Sequence, residues 1–341
     1  MRKTVTIEEV AQRAGIGLGT ASRALSGRGS VSPKTRQHVL DIAFKMGYEA
    51  NPHAQRLANG HVKNTVAIFA GIDLGIATLR LWQITDRLDE QDYITDVHLV
   101  PTHVANQEQR QIMILRDLRR LNPIAIVSQS MGLDEGALHE LRQYQANGGT
   151  VVTFDEPVDL ECDQIIFDQE DSSYQATKYL LDKGHRAIGY CHHALLSPDS
   201  VRIRGVERAL REAGVASLHT SLSYKRLKDI GRKMAEQYFA LKKRPTAVIS
   251  NDNAAAAFMH AVMSCGVRVP EELSIIGYDD TPPAQTAIVP ITSIAYPFQQ
   301  IGDHVADMVQ TRLNGTEQGP PRHIHLKGTL VERESVAAPR A

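Results

Sequence analysis

Two groups of side chains in this chain have the types and placement to do chemistry. The first is four polar residues beside short apolar runs: Asp155 after Val151-Val-Thr-Phe, Asn251 after Val248-Ile-Ser, Asp279 after Ile275-Ile-Gly-Tyr, and Arg202 just before Gly205. Two carboxylates, an amide and a guanidinium converging on one cleft offer acceptors and donors in fixed directions, a set suited to hydroxyl groups. Taken singly, an Asp or Asn after a strand is more often a helix cap. The second group centres on Arg23, whose guanidinium can pair bidentately with a guanine edge or clamp a phosphate.

The elements around Arg23 are explicit. Thr6 and Glu9 form a T-x-x-E capping box, in which each side chain satisfies a backbone donor that the first helical turn leaves unpaired. Ile7, Val10, Ala11 and Ala14 recur at helical spacing, and Gly15 is the natural turn residue. A second helix over roughly 18–25 buries Ile16, Ala21 and Leu25 and presents Leu18, Gly19, Ser22 and Arg23 outward. A third opens at Ser32-Pro33, a cap followed by proline at the first helical position, runs through Val39, Leu40, Ile42, Ala43 and Met46, and stops at Gly47. Three small helices also occur in many globular domains. Charge separates the readings. Residues 1–63 hold ten Lys or Arg against four Asp or Glu, whereas the remainder holds 28 against 35. A basic head on an acidic body is an electrostatic footprint for a phosphate backbone, confined to the head.

The head resembles the DNA-binding domain of the LacI/GalR family of bacterial transcription regulators. The matching text is Val5-Thr-Ile-Glu-Glu-Val-Ala, Ala14-Gly-Ile, Thr20-Ala-Ser-Arg-Ala-Leu, Val31-Ser-Pro-Lys-Thr-Arg, Met46-Gly-Tyr and Asn51-Pro-His-Ala-Gln-Arg-Leu-Ala. The resemblance implies double-stranded operator DNA as partner. It places Leu18, Gly19 and Arg23 at base-reading positions, Thr20, Ser22, Ser32 and Asn51 at phosphates, and Tyr48 beside the backbone; Thr6 and His53 complete the DNA-contacting set. Where relatives carry Ser or Thr, this chain has Gly17. Leu18 can make only apolar contact, for instance to a thymine methyl, and Gly19 almost none, so Arg23 carries most direct readout.

Residues 51–58 are too short to hold a helix alone in water. The resemblance makes them a hinge helix that folds when two copies meet over the minor groove. Ala54, Leu57 and Ala58 supply its apolar face, and Leu57 is the wedge that kinks the duplex. A plain linker leucine is the alternative.

From Thr65 onward, short apolar runs alternate with amphipathic segments. Strands are expected at 66–70, 94–100, 124–128, 151–154, 164–167, 187–191, 247–250 and 274–278, and helices at 107–121, 172–183, 202–213, 230–241 and 254–265. Alternating βα units imply parallel sheets covered by helices, with ligands at the carboxyl ends of the strands. The segments Phe154-Asp, Arg202-Ile-Arg-Gly, Asn251-Asp and Gly277-Tyr-Asp-Asp resemble the family's effector-site segments in order. The expected fold is therefore an all-α helix-turn-helix head on an α/β, two-lobed body like the type I periplasmic binding proteins. By the same resemblance an aromatic ring stacks on the ligand from the segment before Gly231, and Tyr224 is the nearest candidate. After the first strand, Gly71-Ile-Asp-Leu-Gly-Ile-Ala-Thr lacks the proline and aromatic residues usual in relatives.

The expected divisions are a head at 1–50, a hinge and linker at 51–62, one lobe from 63–162 and 294–322, and the other from 163–293 and 323–341. No twenty-residue apolar stretch is present, and Met1-Arg-Lys leads directly into the capping box, so a cytoplasmic protein with no membrane association is expected. Cys162, Cys191 and Cys265 are an odd number without metal spacing, and His192-His193 and His323-Ile-His325 lack partner ligands, so neither a metal nor a cofactor is expected. An enzyme of the doubly wound class would need G-x-G-x-x-G, G-x-x-x-x-G-K-[ST] or G-x-S-x-G, and none is present. The reading is a homodimeric repressor of a pseudo-palindromic operator, controlled by a small-molecule effector, a sugar or sugar derivative, between the lobes. No heptad extension follows Leu330-Val-Glu-Arg-Glu-Ser, which favours dimers over tetramers. The alternative is a sugar-binding protein without a regulatory role.

Overall fold

The computed structural model describes residues 5–26, 31–46, 48, 64–72, 76–101, 106–193, 201–216, 220–224 and 229–340, without the side chains of Ser26, Ile72, His192, His193 and Tyr224. The expected hinge contacts Asn51, His53, Ala54 and Leu57 lie outside the described residues. The chain divides into two compact units, Met1–Val62 and Lys63–Ala341.

Among its described residues the head holds three helices, α1 (Ile7–Ala14), α2 (Leu18–Ser26) and α3 (Pro33–Met46). The capping box is formed: Glu9 N–H donates to Thr6 Oγ1 at 3.3 Å, and Thr6 N–H to Glu9 Oε2 at 2.9 Å. Gly15 ends α1 at φ +67°, a left-handed conformation that glycine adopts without a Cβ clash. Val10, Ala24, Val39 and Ala43 form the core, with Ile16, Leu25, Ile42, Met46 and Tyr48 packed around it. Leu40, expected on the apolar face of α3, is exposed instead, and Phe44 one turn on is 88% exposed.

The body holds two six-stranded sheets. The first is ordered β11-β5-β4-β3-β1-β2, from β1 (Thr65–Ile72), β2 (Ile94–Pro101), β3 (Ala125–Gln129), β4 (Thr150–Asp155), β5 (Asp163–Phe167) and β11 (His323–Leu326). The second is ordered β12-β10-β9-β8-β6-β7, from β6 (Ile188–His193), β7 (Thr220–Tyr224), β8 (Ala247–Ile249), β9 (Ser274–Asp279), β10 (Thr292–Ala295) and β12 (Thr329–Val331). Every pairing is parallel except β10 with β12. Both faces are covered, as parallel sheets require. On β1, Val66, Ile68 and Ala70 pack under α4 (Ile76–Asp89) and α12 (Phe298–Leu313), while Ala67 and Phe69 pack under α5 (Gln107–Leu121) and α6 (Glu135–Ala146). In the second sheet, Val248 and Ile275 face α9 (Ile230–Ala240) and α10 (Asp252–Ser264). Ala247, Ile249 and Ile276 face α7 (Gln169–Asp182) and α8 (Val201–Glu212). A short α11 (Pro282–Thr286) follows β9.

The lobes do not divide where the sequence placed the boundaries. β5 and β11 pair with each other in the first sheet, in register His323↔Gln164, so they belong to the first lobe and not the second. Asp163 fixes this arrangement: Arg312 of α12 and Arg322 beside β11 both reach its carboxylate, at 2.7 and 2.9 Å. Among the described residues the chain passes between lobes at 168, 296–297 and 327–328, rather than at 163, 294 and 323. A strand-to-helix turn that changes lobe has the same residue pattern as one that does not, which is why the pattern misplaced it.

Gly205 shows how closely α7 and α8 meet. A Cβ there would lie 2.0 Å from the carbonyl oxygen of Glu170 and 2.9 Å from the backbone nitrogen of Tyr174. Gly205→Ala should therefore cost about 1–3 kcal/mol through overpacking, read as a lowered denaturation midpoint. An unchanged midpoint would show that the two helices can part without loss.

Candidate functional site

On the head, Leu18 is 47% exposed and Gly17, Gly19 and Arg23 are exposed, while Ala21 and Ala24 face inward. Thr20 and Ser22 are half-buried at its margin. A Cβ at Gly17 or Gly19 would meet nothing within 4 Å, so packing within the head does not demand these glycines. The Gly17 carbonyl accepts from the N–H groups of Thr20 and Ala21, at 2.9 and 3.0 Å. Thr6, expected among the DNA-contacting residues, and Ser32, expected at a phosphate, are both engaged as caps; Ser32 Oγ accepts from Thr35 N–H at 3.1 Å. Tyr48 is half-buried against the core, and burial raises its phenol pKa. The exposed face of α2 is thus smooth around a single projecting guanidinium.

In the body, the two lobes share an inner strand order, 2-1-3-4-5 and 7-6-8-9-10, and each builds the same small module at equivalent places. Asp155 closes β4 and Asp279 closes β9, with φ of +94° and +91°, a region non-glycine residues rarely enter. Each aspartate follows an aromatic residue and meets an arginine from the helix after its lobe's first strand. Arg80 of α4 pairs with Asp155 at 2.7 Å and lies 6.0 Å from the Phe154 ring centroid. Arg202 of α8 pairs with Asp279 at 3.4 Å and lies 4.9 Å from the Tyr278 centroid.

The two copies differ in how tightly they are closed. Arg80 and Asp155 are 3% and 1% exposed. Asp155 Oδ2 also accepts from Gln129 Nε2 at 2.8 Å, and its Oδ1 from the hydroxyl of Tyr296. Gln129 in turn accepts from Gly71 N–H at 2.9 Å, joining the ends of β1, β3 and β4. Tyr296 stands on the second passage between lobes, and its backbone N–H donates to the Asp279 carbonyl at 3.3 Å, so one residue touches both modules. In the second copy Arg202 is only half-buried and is shared: its Nε donates to Gln169 Oε1 at 3.1 Å, and Gln169 Nε2 donates to Glu156 Oε1 at 3.4 Å.

The expected effector residues therefore separate. Arg202 and Asp279 come together as anticipated. Asn251 is adjacent in β8's exit, but its side-chain oxygen caps α10 by accepting from Ala254 N–H at 3.0 Å, which is the cap role open to any Asn after a strand. Asp155 is at the cleft end of its strand yet already saturated. Tyr224 closes β7, and its side chain lies outside the described residues. The sequence reading missed Arg80, Gln129, Glu156, Gln169 and Tyr296. The available signal for Arg80 was a charged residue in register with the buried Ala77, Ile84 and Leu88 of α4, and that helix itself was not anticipated. Burial raises the Glu156 carboxyl pKa, helped by neighbouring Asp155 and opposed by Arg202 and Arg204. Asp252, held by Thr281 and Ser293 behind Asp279, is pushed up to about 7 by burial and by the Asp279 charge.

A helix-turn-helix head joined to a two-lobed α/β body with a polar cleft defines a transcription regulator with a binding-protein-like body. Two family models match the chain: bacterial regulatory proteins of the lacI family over residues 6–51, and a periplasmic binding protein-like domain over 177–336, together more than half of it. The chain is 29% identical to the HTH-type transcriptional regulator DegA of Bacillus subtilis, across 97% of this chain and 98% of that one. Two solved structures share the fold. The lac repressor dimer bound to operator and the anti-inducer ONPF superposes with a TM-score of 0.78 at 24% identity, covering 98% of this chain and 100% of that one. The CelR–cellobiose complex does so with a TM-score of 0.67 at 24% identity, covering 97% and 99%. The chain belongs to the lacI family of bacterial regulatory proteins and is a transcriptional regulator.

Proposed function

We propose that the chain is a homodimeric repressor that reads a pseudo-palindromic operator with α2 and responds to a carbohydrate-type effector held between the lobes of its body. The observation that carries the DNA reading is the outward face of α2, on a head with ten basic residues against four acidic over 1–63. Arg23 is the base-reading side chain, Leu18 and Gly19 lie flush against the groove, and Thr6, Thr20, Ser22, Ser32 and Tyr48 border it. Asn51, His53, Ala54 and Leu57 keep the hinge roles implied by the family. The body's support for a dimer is the edge strand β2: Ile94, Val97 and Leu99 on it, with Trp82 on α4 and Met113 on α5, are exposed large apolar side chains of the kind that mark a protein contact. The lac repressor relative is itself a dimer on operator, and the CelR relative holds cellobiose. Such a regulator works where the chromosome is, in the cytoplasm, and no helix among the described residues is long and apolar enough to cross a membrane.

The experiment is selection of an operator from random duplex DNA, followed by titration of wild type and Arg23→Ala. Loss of one bidentate contact should weaken operator binding about tenfold to a hundredfold and relax preference at one base position per half-site. An equal loss on unselected DNA, with no change in base preference, would make Arg23 a phosphate clamp instead.

A further inference from the structure

In the first lobe the carboxylate expected to face the effector is already engaged within the protein. Both oxygens of Asp155 are engaged, by Arg80 and Gln129 on one and Tyr296 on the other, in a site 1% exposed. Its ion pair at 2.7 Å is as short as charge-assisted bonds become. A hydroxyl group could replace those partners only by leaving the Arg80 guanidinium buried without its counter-charge, which is strongly unfavourable.

One residue further on, the chain presents a second carboxylate in a different setting. Glu156 is half-buried at the exit of β4. Its backbone N–H is fixed by Ser130 Oγ at 2.9 Å, so the position of its Cα is held while its side chain reaches out. The side-chain contact to Gln169 is long, 3.4 Å, as is that of Arg202 to Asp279, and Gln169 stands between Glu156 and Arg202. Long, shared contacts of this kind are readily exchanged for hydroxyl groups, each of which both donates and accepts.

We propose that Glu156, rather than Asp155, is the carboxylate with which the first lobe binds the effector, and that Gln169 aligns it with Arg202 of the second lobe. Asp155 is then a positioning residue that ties β3, β4, α4 and the Tyr296 passage together. The proposal rests on the reading of this cleft as a carbohydrate site. Glu156 faces Asp155, which favours its protonation, and Arg202 and Arg204, which oppose it. With its carboxyl raised by burial, affinity for a neutral sugar should fall as pH drops through that raised value. Asp252, at about 7, titrates nearby in the second lobe, so only the part of the profile that Glu156→Gln removes belongs to Glu156.

The test is isothermal titration of the full chain with D-ribose, D-galactose and cellobiose between pH 5 and 8. For whichever sugar binds, Glu156→Gln should weaken affinity about tenfold at pH 8 and flatten the acid limb, Glu156→Asp should recover part of the loss, and Gln169→Met should weaken binding by less. Wild-type affinity and pH profile in Glu156→Gln would overturn the assignment, while loss of binding in Asp279→Ala in the same series would show that the cleft reading survives it. If none of the three sugars binds, the carbohydrate reading falls and the proposal falls with it.

Discussion

Replacing Arg80 by methionine should lower the stability of the body by about 3–5 kcal/mol, the cost of leaving one partner of a buried ion pair uncompensated. Arg80 and Asp155 have side chains 3% and 2% exposed, so little water can enter to solvate the orphaned carboxylate. Gln129 and Tyr296 continue to donate to it, which limits the loss without supplying a charge. Methionine fills most of the arginine stem's volume, so the effect measured is that of the charge rather than of a cavity. Urea denaturation followed by the change in far-ultraviolet circular dichroism reads it directly. The double variant Arg80→Met with Asp155→Leu should regain much of the deficit, because an apolar replacement of both partners leaves no buried charge. A single-variant loss below about 1 kcal/mol would mean that the pair is solvated in solution.

Asp163→Ala should be comparably damaging, about 3–5 kcal/mol, and more local. The Asp163 carboxylate is nearly inaccessible and accepts from Arg312 at 2.7 and 3.1 Å and from Arg322 at 2.8, 2.9 and 3.2 Å. It is the point at which α12, β5 and β11 are tied. Burial by itself would raise its carboxyl, but Arg312 and Arg322 outweigh burial and hold it below the ordinary value of 3.8. With the folded pKa depressed, the contribution is fully present above the unfolded value and is lost as pH falls through the folded one. Hydrogen exchange should show Ile324 and Leu326 amides losing protection first in Asp163→Ala. Unchanged protection of β11 would show that backbone pairing with β5 suffices.

The head was largely legible because its signals are local. The capping box Thr6–Glu9, the turn at Gly15 and the Ser32-Pro33 start each depend on residues within one helical turn, and each is formed. The eight strands expected in the body are present: the inner ones because buried parallel strands read as continuous apolar runs, and the largely exposed edge strand β2 through Ile94, Val97, Leu99 and Val100. The four that escaped, β7, β10, β11 and β12, are three to five residues long and carry polar side chains; His323-Ile-His-Leu is paired through backbone register with β5, which no local pattern reveals. The site was half legible. Asp279 followed from its strand-end position and Arg202 from the resemblance of Arg202-Ile-Arg-Gly to the family's effector-site segments, but whether Asp155 was free to bind anything depended on Arg80, 75 residues away, and on Tyr296, 141 residues away. Such long-range satisfaction has no counterpart in spacing.

The three passages between lobes have a consequence for how this gene can be cut and recombined. The first lobe is closed by β11 and the second by β12, strands that lie within ten residues of each other near the end of the chain. Neither lobe is therefore a continuous stretch of the gene, and a frameshift or premature stop anywhere between Asp168 and β11 removes material from both. The head, confined to Met1–Val62, is contiguous. Recombination can exchange it as a cassette and so redirect the same sensor to a new operator, whereas the sensor itself can be inherited only whole.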